Sequence, residues 1–144
     1  MVDAREVARL LGGRTALHRR IDSFEDFVVA IEDGLPSDAM RAMLDSGAVS
    51  AREISESVRI PERTLMRMQT KERIPADEGD KIYRLAYVVA AATKALGDRD
   101  KARKWLRRPN RALGGVIPLS LLGTQPGLQQ VEQVLGRIEY GEYS

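Results

Sequence analysis

Two arginines, Arg63 and Arg67, are spaced four residues apart and therefore lie on one face of any helix that contains them. A guanidinium can donate two hydrogen bonds to a guanine edge, or it can contact a phosphate without reading sequence. Thr64 lies between the two arginines, and Lys71 and Arg73 add positive charge just beyond them. This set predicts contacts with DNA, and the affinity of such contacts falls as the salt concentration rises.

These side chains need a pair of short helices to position them, and residues 50–75 contain the signals for such a pair. Ser50 and Glu53 have the spacing of a capping box at the start of one helix. Pro61 favours the start of the next helix, because its missing N–H costs nothing there. The pattern predicts a helix-turn-helix in which the second helix lies in the major groove. A helical pair that only contributes to the protein core is the alternative.

The rest of the chain is typical of an all-α protein. Of its 144 residues, 43% are hydrophobic and 31% are charged, which fits a globular protein with a core. Apolar residues recur at spacings of three and four, and alternating strand patterns are nearly absent. We predict about eight short helices in two parts. Residues 1–75 form the helix-turn-helix domain with its N-terminal helices, and residues 76–144 form a small helical domain.

Glycines, prolines and capping residues predict where most of these helices begin and end. The predicted helices cover residues 3–11, 23–34, 37–47, 51–58, 62–71, 77–96, 99–108 and 126–138. In the second helix, we expect Phe24, Phe27, Val28 and Ile31 to form one apolar face.

Composition excludes several kinds of chemistry. The chain has no cysteine, which rules out disulfides, thiolate zinc sites and cysteine catalysis. His18 is the only histidine and nothing in the sequence orients it, so we expect no enzymatic activity, no metal site and no cofactor. The N-terminus lacks an apolar signal core, and no apolar run approaches the roughly 20 residues of a membrane-spanning helix. We therefore expect a cytoplasmic protein without a membrane partner.

The second part contains an ordered series of short motifs. They are Leu96-Gly97-Asp98, Lys101-Ala102-Arg103-Lys104-Trp105-Leu106, Pro109-Asn110, Ala112-Leu113-Gly114-Gly115, Pro118-Leu119, Leu121-Leu122 and Gly136-Arg137-Ile138-Glu139-Tyr140-Gly141. In order and spacing, the series closely resembles the toxin-binding domain of the MbcA/ParS/Xre antitoxins. Residues 50–75 likewise resemble the helix-turn-helix of the Xre family, which is related to phage repressors.

The resemblance implies a specific function. Such antitoxins belong to type II toxin–antitoxin systems and pair with RES-domain toxins, which consume NAD or transfer ADP-ribose from it. The C-terminal domain covers the toxin's active-site cleft, and the helix-turn-helix represses the shared operon. The expected partners are therefore a cognate RES-domain toxin and operator DNA. Since one helix-turn-helix reads only a half-site, we also expect a homodimer within a toxin–antitoxin hetero-oligomer.

Two residues depart from the helix-turn-helix pattern of that family. Arg59 lies where the family usually has a turn glycine, and a left-handed residue other than glycine is strained. Glu62 would face DNA phosphates with the wrong charge. An antitoxin whose helix-turn-helix has lost DNA binding is therefore a further possibility.

The end of the chain supplies the predicted toxin contacts. They are Arg137, Glu139, Tyr140, Gly141, Glu142, Tyr143 and Ser144. Carboxylates suit an electropositive cleft that binds the NAD pyrophosphate, tyrosines offer rigid surface for stacking, and the glycine lets the chain turn. A frayed polar tail is the alternative.

Seven basic residues and one acid lie within residues 99–111. The run can be a solvated helix face, a patch for DNA phosphates or a docking surface for an acidic toxin rim. We favour the solvated face, because exposed lysines and arginines are the rule on helices, and we expect Trp105 to lie in the core. For the whole chain, the alternative function is a stand-alone Xre-type repressor whose second part dimerises or senses a ligand.

Overall fold

The computed structural model of the protein describes residues 1–141. Within that range the chain forms nine α-helices and one short strand pair. The helices are α1 (Ala4–Leu10), α2 (Gly13–Leu17), α3 (Phe24–Asp33), α4 (Ser37–Asp45), α5 (Ala51–Val58), α6 (Glu62–Gln69), α7 (Ala76–Leu96), α8 (Arg99–Arg107) and α9 (Gln125–Glu139). Two 3₁₀ helices, Arg111–Leu113 and Pro118–Leu121, connect α8 to α9. The all-α prediction is confirmed.

The strands β1 (Leu35–Pro36) and β2 (Arg73–Ile74) form an antiparallel pair in which Leu35 lies opposite Ile74. The pair joins the chain before α4 to the chain before α7. Leu35 and Ile74 are both fully buried, so this short ladder closes the helix-turn-helix segment against the core. Two strands of two residues are too short to produce an alternating pattern in the sequence.

Capping residues start the helices as the sequence predicts. The Ser50 hydroxyl accepts a hydrogen bond from the Glu53 backbone N–H at 3.1 Å, and the Glu53 carboxylate accepts one from the Ser50 N–H at 3.0 Å. Ser23 and Asp26 form the same reciprocal box at the start of α3. Asp98 caps α8 by accepting a hydrogen bond from the Lys101 N–H at 2.9 Å. Each cap satisfies backbone donors that a helix start leaves free.

Two local predictions differ from the structure. Gly12 and Gly13 both have positive φ and do end α1, but Gly13 is already the first residue of α2, which the sequence did not predict. In α3, Phe27 is 1% exposed whereas Val28 is 54% exposed, so the expected common face is wrong for Val28. Phe27 faces inward because its ring packs on Tyr83 of α7, with 4.8 Å between the ring centroids. Val28, the next residue along the helix, turns towards solvent.

Helix α7 lies at the centre of the fold. Its buried residues are Gly79, Ile82, Leu85, Ala86, Val88, Val89 and Ala92. All of them except Gly79 belong to one hydrophobic cluster that includes Met43 of α4, Leu106 of α8 and Val131 of α9. The two predicted parts of the chain therefore share a continuous core. The helices of residues 1–141 are all too short or too polar to span a lipid bilayer.

Three arginines of α8 attach it to the segment between α4 and α5. Arg107 donates to both carboxylate oxygens of Glu53, at 2.6 and 2.9 Å, and to the Ala48 carbonyl at 3.0 Å. Arg103 donates to the Gly47 carbonyl, and Arg99 lies 3.5 Å from the Ser46 carbonyl. Arg99 and Arg103 remain exposed, as the prediction of a solvated basic face requires, whereas Arg107 is partly buried and departs from it.

We expect Arg107→Ala to lower the free energy of unfolding by about 1–3 kcal/mol, because Glu53 and the Ala48 carbonyl lose a charged donor in a partly buried place. Urea denaturation measures the change. Arg52→Ala is the matched control, since the Arg52–Glu56 pair is 80% and 66% exposed and is worth less than about 0.5 kcal/mol. Equal losses in the two variants would contradict the assignment.

The contribution of the Arg107–Glu53 pair depends on pH. Burial raises the pKa of Glu53, but hydrogen bonds from Arg107 and Ser50 outweigh it and bring the pKa below its ordinary value. A lowered pKa in the folded state stabilises the protein at pH values above the ordinary pKa of a glutamate. The stability difference between the wild type and Arg107→Ala should therefore shrink as the pH falls through the lowered pKa.

Two glycines of α9 make a matched pair for a second stability test. A Cβ at Gly127 would lie 1.9 Å from the Leu121 carbonyl oxygen. Apart from its chain neighbours and the backbone of its own helix, a Cβ at Gly136 would have no atom of residues 1–141 within 4 Å. We expect Gly127→Ala to cost about 3 kcal/mol, because backbone must move. We expect Gly136→Ala to gain about 0.5–1 kcal/mol from helix propensity. Thermal unfolding measures both, and a shift of the same sign in both variants would refute the packing described for α9.

Candidate functional site

Helices α5 and α6 form the predicted helix-turn-helix. The turn between them contains Arg59, which has the left-handed backbone conformation that its position predicts, with φ 58° and ψ 50°. Ile60 is 2% exposed and anchors the turn in the core. Leu65 and Met68, at 2% and 3% exposed, attach α6 to the same core and so fix its rotation.

That rotation turns the opposite face of α6 to solvent. Arg63 and Arg67 are both exposed on it, as the four-residue spacing predicts. The Arg67 guanidinium lies 3.5 Å from the Thr64 hydroxyl, so these three side chains share one surface. Met66 is 69% exposed between the arginines and offers an apolar contact of the kind that a thymine methyl group accepts. The sequence places Met66 on the outward face, but nothing in its residue type indicated a role.

The two cations beyond α6 have different surroundings. Lys71 is exposed and lines a shallow cavity of about 180 Å³ together with Thr64 and Arg67. Arg73 instead donates to the Gly34 carbonyl at 3.1 Å and lies 3.5 Å from the Asp33 carbonyl. Its guanidinium is therefore held at the C-terminal end of α3, where a positive charge is favourable.

The two unusual residues of the turn also have identifiable contacts. A Cβ added at Gly123 would lie 2.8 Å from Nε of Arg59, so the Arg59 side chain packs on the loop before α9. This contact connects the turn to the second part of the chain. Glu62 is exposed in the first turn of α6, where a carboxylate is favourable to the helix dipole.

The second candidate surface is the C-terminal end of α9. The Thr124 hydroxyl caps the helix by accepting a hydrogen bond from the Gly127 N–H at 3.2 Å. One face of α9 then packs on α7 through four buried side chains: Leu128, Val131, Val134 and Leu135. This packing fixes the direction in which the helix end points. Arg137 is exposed near that end.

The last described residues sit beside the start of the chain. The Glu139 carboxylate accepts a hydrogen bond from the amino group of Met1, and the Tyr140 hydroxyl lies 3.5 Å from the same group. Tyr140 is 64% exposed, which is unusual for a tyrosine ring that serves only packing. Gly141 has φ 73°, a conformation that favours glycine. Three of the predicted contact residues, Glu142, Tyr143 and Ser144, lie outside the described residues.

An aromatic cluster lies next to this end and was not predicted from the sequence. The Tyr87 hydroxyl donates to the Glu132 carboxylate of α9 at 2.9 Å, and the Tyr87 ring lies 6.0 Å from that of Phe24. Burial, with a further contribution from Glu132, raises the pKa of Tyr87 well above its ordinary value. The sequence signal for this cluster was the spacing of Tyr83 and Tyr87, which places the two rings one turn apart on the same face of α7.

Two family models match the chain on either side of residue 90. An antitoxin Xre-like helix-turn-helix domain matches residues 26–87, and the antitoxin Xre/MbcA/ParS C-terminal toxin-binding domain matches residues 91–141. The first range includes α5 and α6 with their flanking helices, and the second includes α8 and α9.

Individual relatives agree with these models. The chain is 32% identical to an antitoxin Xre of Pseudomonas putida over 112 residues, which is 77% of this chain and 69% of that protein. It is 33% identical to an antitoxin Xre of Yersinia enterocolitica over 119 residues, which is 81% of this chain and 80% of the relative.

A solved structure is also similar. A chain of the crystal structure of the M. tuberculosis MbcT-MbcA toxin-antitoxin complex superposes with a TM-score of 0.56 at 26% identity. The similarity covers 69% of this chain and 93% of that chain. An Xre-like helix-turn-helix domain followed by a C-terminal antitoxin domain, together with relatives of this identity and coverage, places this chain in the Xre/MbcA/ParS family of antitoxins.

Proposed function

We propose that this antitoxin neutralises a RES-domain toxin by covering its active site, and that it represses its own operon through the helix-turn-helix. The observation that carries the proposal is the match of residues 91–141 to a toxin-binding domain, whose range ends in the exposed Tyr140 and Gly141. The chain would act by binding alone, without catalysis of its own.

The side chains at the end of α9 are of the types that could fill the NAD-binding cleft of a toxin. Such a cleft binds the pyrophosphate of NAD and should therefore be electropositive. Glu142 brings negative charge to it, and Glu139 does so once it leaves its ion pair with the Met1 amino group. Tyr140 presents an exposed ring that can occupy a flat pocket shaped for a base or a nicotinamide. Gly141 allows the chain to turn into that pocket at no steric cost.

The direction of α9 supports the same proposal. Its four buried residues and its Thr124 cap hold the helix rigidly on α7, so the end is presented from a fixed support. A rigid support lowers the conformational entropy that is lost on binding. We propose that the aromatic cluster around Tyr87 stabilises this support, because the Tyr87 hydroxyl is bonded to Glu132, about two helical turns before Glu139.

Repression of the operon would need a dimer, because one recognition helix reads one half-site. The exposed apolar residues of α3 offer a candidate dimer surface: Phe24, Val28 and Val29 are 39%, 54% and 52% exposed. The apolar stripe of α7 is buried within the protein and is not available for this purpose. We therefore propose that the homodimer forms through α3.

A repressor that senses a small ligand is the second candidate function. One observation favours it, a cavity of about 700 Å³ between α1, α4, α7 and α8. Its walls include the apolar side chains of Leu10, Val89 and Leu106 and the cationic ones of Arg9 and Lys94. Cavities of this size accept small molecules.

Co-expression with the product of the adjacent gene separates the two functions. Both genes should be placed under foreign promoters, so that repression of the natural operator has no influence. We expect the neighbour to arrest growth and to deplete cellular NAD by itself, and the antitoxin to restore both and to co-purify with it. Growth arrest that persists at equal abundance of the two proteins, without a complex, would overturn the proposal.

A further inference from the structure

The basic run of α8 divides into two faces with different surroundings. Arg99, Arg103 and Arg107 follow one another at four-residue spacing and bond to the segment between α4 and α5. Lys101, Lys104 and Trp105 are spaced by three and four residues and therefore share the other face, and Arg108 follows directly after the helix. The first set has a structural role, and the second set requires a different explanation.

The second face lines a cavity of about 440 Å³, which we call the Trp105 pocket. Its cationic side chains are Lys101, Lys104, Arg108 and Arg111, and its apolar walls are Trp105, Leu96 and Pro109. Asn110 completes the lining, to which no carboxylate of the described part of the chain contributes. Cavities of this size accept small ligands.

None of the four cations forms an ion pair with a carboxylate of residues 1–141. The nearest acids along the chain are Asp98 and Asp100. Asp98 already accepts the Lys101 backbone N–H as the cap of α8, and Asp100 is exposed one turn before Lys104 without pairing to it. Lys101 and Lys104 lie three residues apart within α8, and like charges at that spacing destabilise a helix. An anion that binds between these cations would relieve their mutual repulsion.

Trp105 gives the pocket a second property. The residue is partly buried and packs against the hydrophobic core together with Ala102 and Leu106 of the same helix. Its indole is therefore held in place by the fold while part of it lines the cavity. A fixed aromatic surface surrounded by lysines and arginines is the arrangement that binds a base by stacking and its phosphate by charge.

We propose that the Trp105 pocket binds a nucleotide unit, whose base stacks on Trp105 and whose phosphates contact Lys104 and Arg108. The unit can come from a free nucleotide or from a single-stranded nucleic acid, which present the same chemistry. An acidic peptide could pair with the cations, but it would offer no base to stack on the Trp105 indole. A duplex is also a poor ligand, because its bases are stacked on one another inside the helix and cannot reach the indole. The proposal does not depend on the identity of the toxin.

The test uses the fact that Trp105 is the only tryptophan of the chain, so its fluorescence reports on this pocket alone. The full-length protein is titrated with ADP, with a ten-residue oligothymidylate and with poly-glutamate. We expect saturable quenching by ADP or by the oligonucleotide, with an affinity that falls as salt is added. Tighter binding of the oligonucleotide assigns the site to a strand, and tighter binding of ADP assigns it to a free nucleotide.

Charge variants locate the binding. We expect the double variant Lys104→Gln/Arg108→Gln to bind the preferred probe at least tenfold more weakly. Arg14→Gln/Arg20→Gln, which removes the same charge at two exposed positions elsewhere, should bind within twofold of the wild type. Trp105→Leu, measured by equilibrium dialysis of labelled probe, should also bind at least tenfold more weakly. Circular dichroism checks that each variant is folded.

Three results would overturn the proposal. One is the absence of saturable quenching with both nucleotide probes. Another is quenching by poly-glutamate that matches or exceeds the nucleotides, which would make the pocket a surface for an acidic protein. The third is an equal loss of affinity in the two double variants, which would reduce the binding to net charge.

Discussion

A chain that ends at Glu139 is expected to lose neutralisation of the toxin while it keeps its fold. Removing residues 140–144 leaves the four buried residues of α9 and the Tyr87–Glu132 hydrogen bond in place. It removes the exposed Tyr140 ring together with Gly141 and Glu142, which are among the groups proposed to fill the NAD cleft, and it keeps Glu139. We expect growth rescue to be lost, because the side chains that would fill the cleft are absent even when the truncated chain binds the toxin.

Growth rescue at equal abundance of the two antitoxin chains measures this effect. A chain in which residues 140–144 are replaced by glycine and serine is the matched control, because it keeps the length and loses the side chains. We expect it to behave as the truncated chain does. If either variant rescues growth as well as the wild type, the end of α9 does not act as the plug.

The double substitution Arg63→Ala/Arg67→Ala is expected to abolish operator binding at physiological salt. Both side chains are exposed on α6, opposite the buried Leu65 and Met68. Each contact to a base or phosphate is worth about 1–3 kcal/mol, so the double variant should lose roughly 10²- to 10⁴-fold in affinity. Fluorescence anisotropy with DNA from upstream of the operon measures the loss, and the salt dependence of the remaining binding should be less steep.

Arg52→Ala is the control for this experiment, since Arg52 is exposed on α5 and pairs with Glu56 rather than facing outward from α6. Neutralisation of the toxin should be unchanged in the double variant, because the C-terminal end is unaltered. Unchanged DNA affinity would eliminate α6 as the recognition helix. A wild-type chain that binds no operator DNA would instead indicate that the helix-turn-helix has lost this role.

Much of the fold is predictable because its helix ends are local in sequence. The capping box of Ser50 and Glu53 sets the start of α5 within four residues. The spacing of Leu65 and Met68 fixes the rotation of α6, and with it the exposure of Arg63 and Arg67. These features depend on neighbours along the chain, which the sequence displays directly.

The contacts that join distant segments are not predictable in this way. Glu53 and Arg107 are 54 residues apart, and nothing in either segment indicates the other. The contact of Arg59 with the loop at Gly123 also joins segments that are distant in sequence. It provides packing for a side chain at a position that otherwise favours glycine. The basic run of residues 99–111 is an example. Its composition is uniform, and only the tertiary contacts distinguish the arginines that bond to the segment between α4 and α5 from the cations that line the Trp105 pocket.

The central claim is that the end of α9 inhibits by filling the NAD cleft, and NAD turnover by the purified toxin tests it most directly. The toxin is assayed at saturating concentrations of the full chain and of the chain that ends at Glu139, with binding of both confirmed by size-exclusion chromatography. We expect the full chain to suppress turnover. We expect the truncated chain to bind through the rest of the domain that matches the toxin-binding family, and to leave turnover within about twofold of that of the free toxin, because its missing residues no longer fill the cleft. Complete suppression of turnover by the bound, truncated chain would contradict the account.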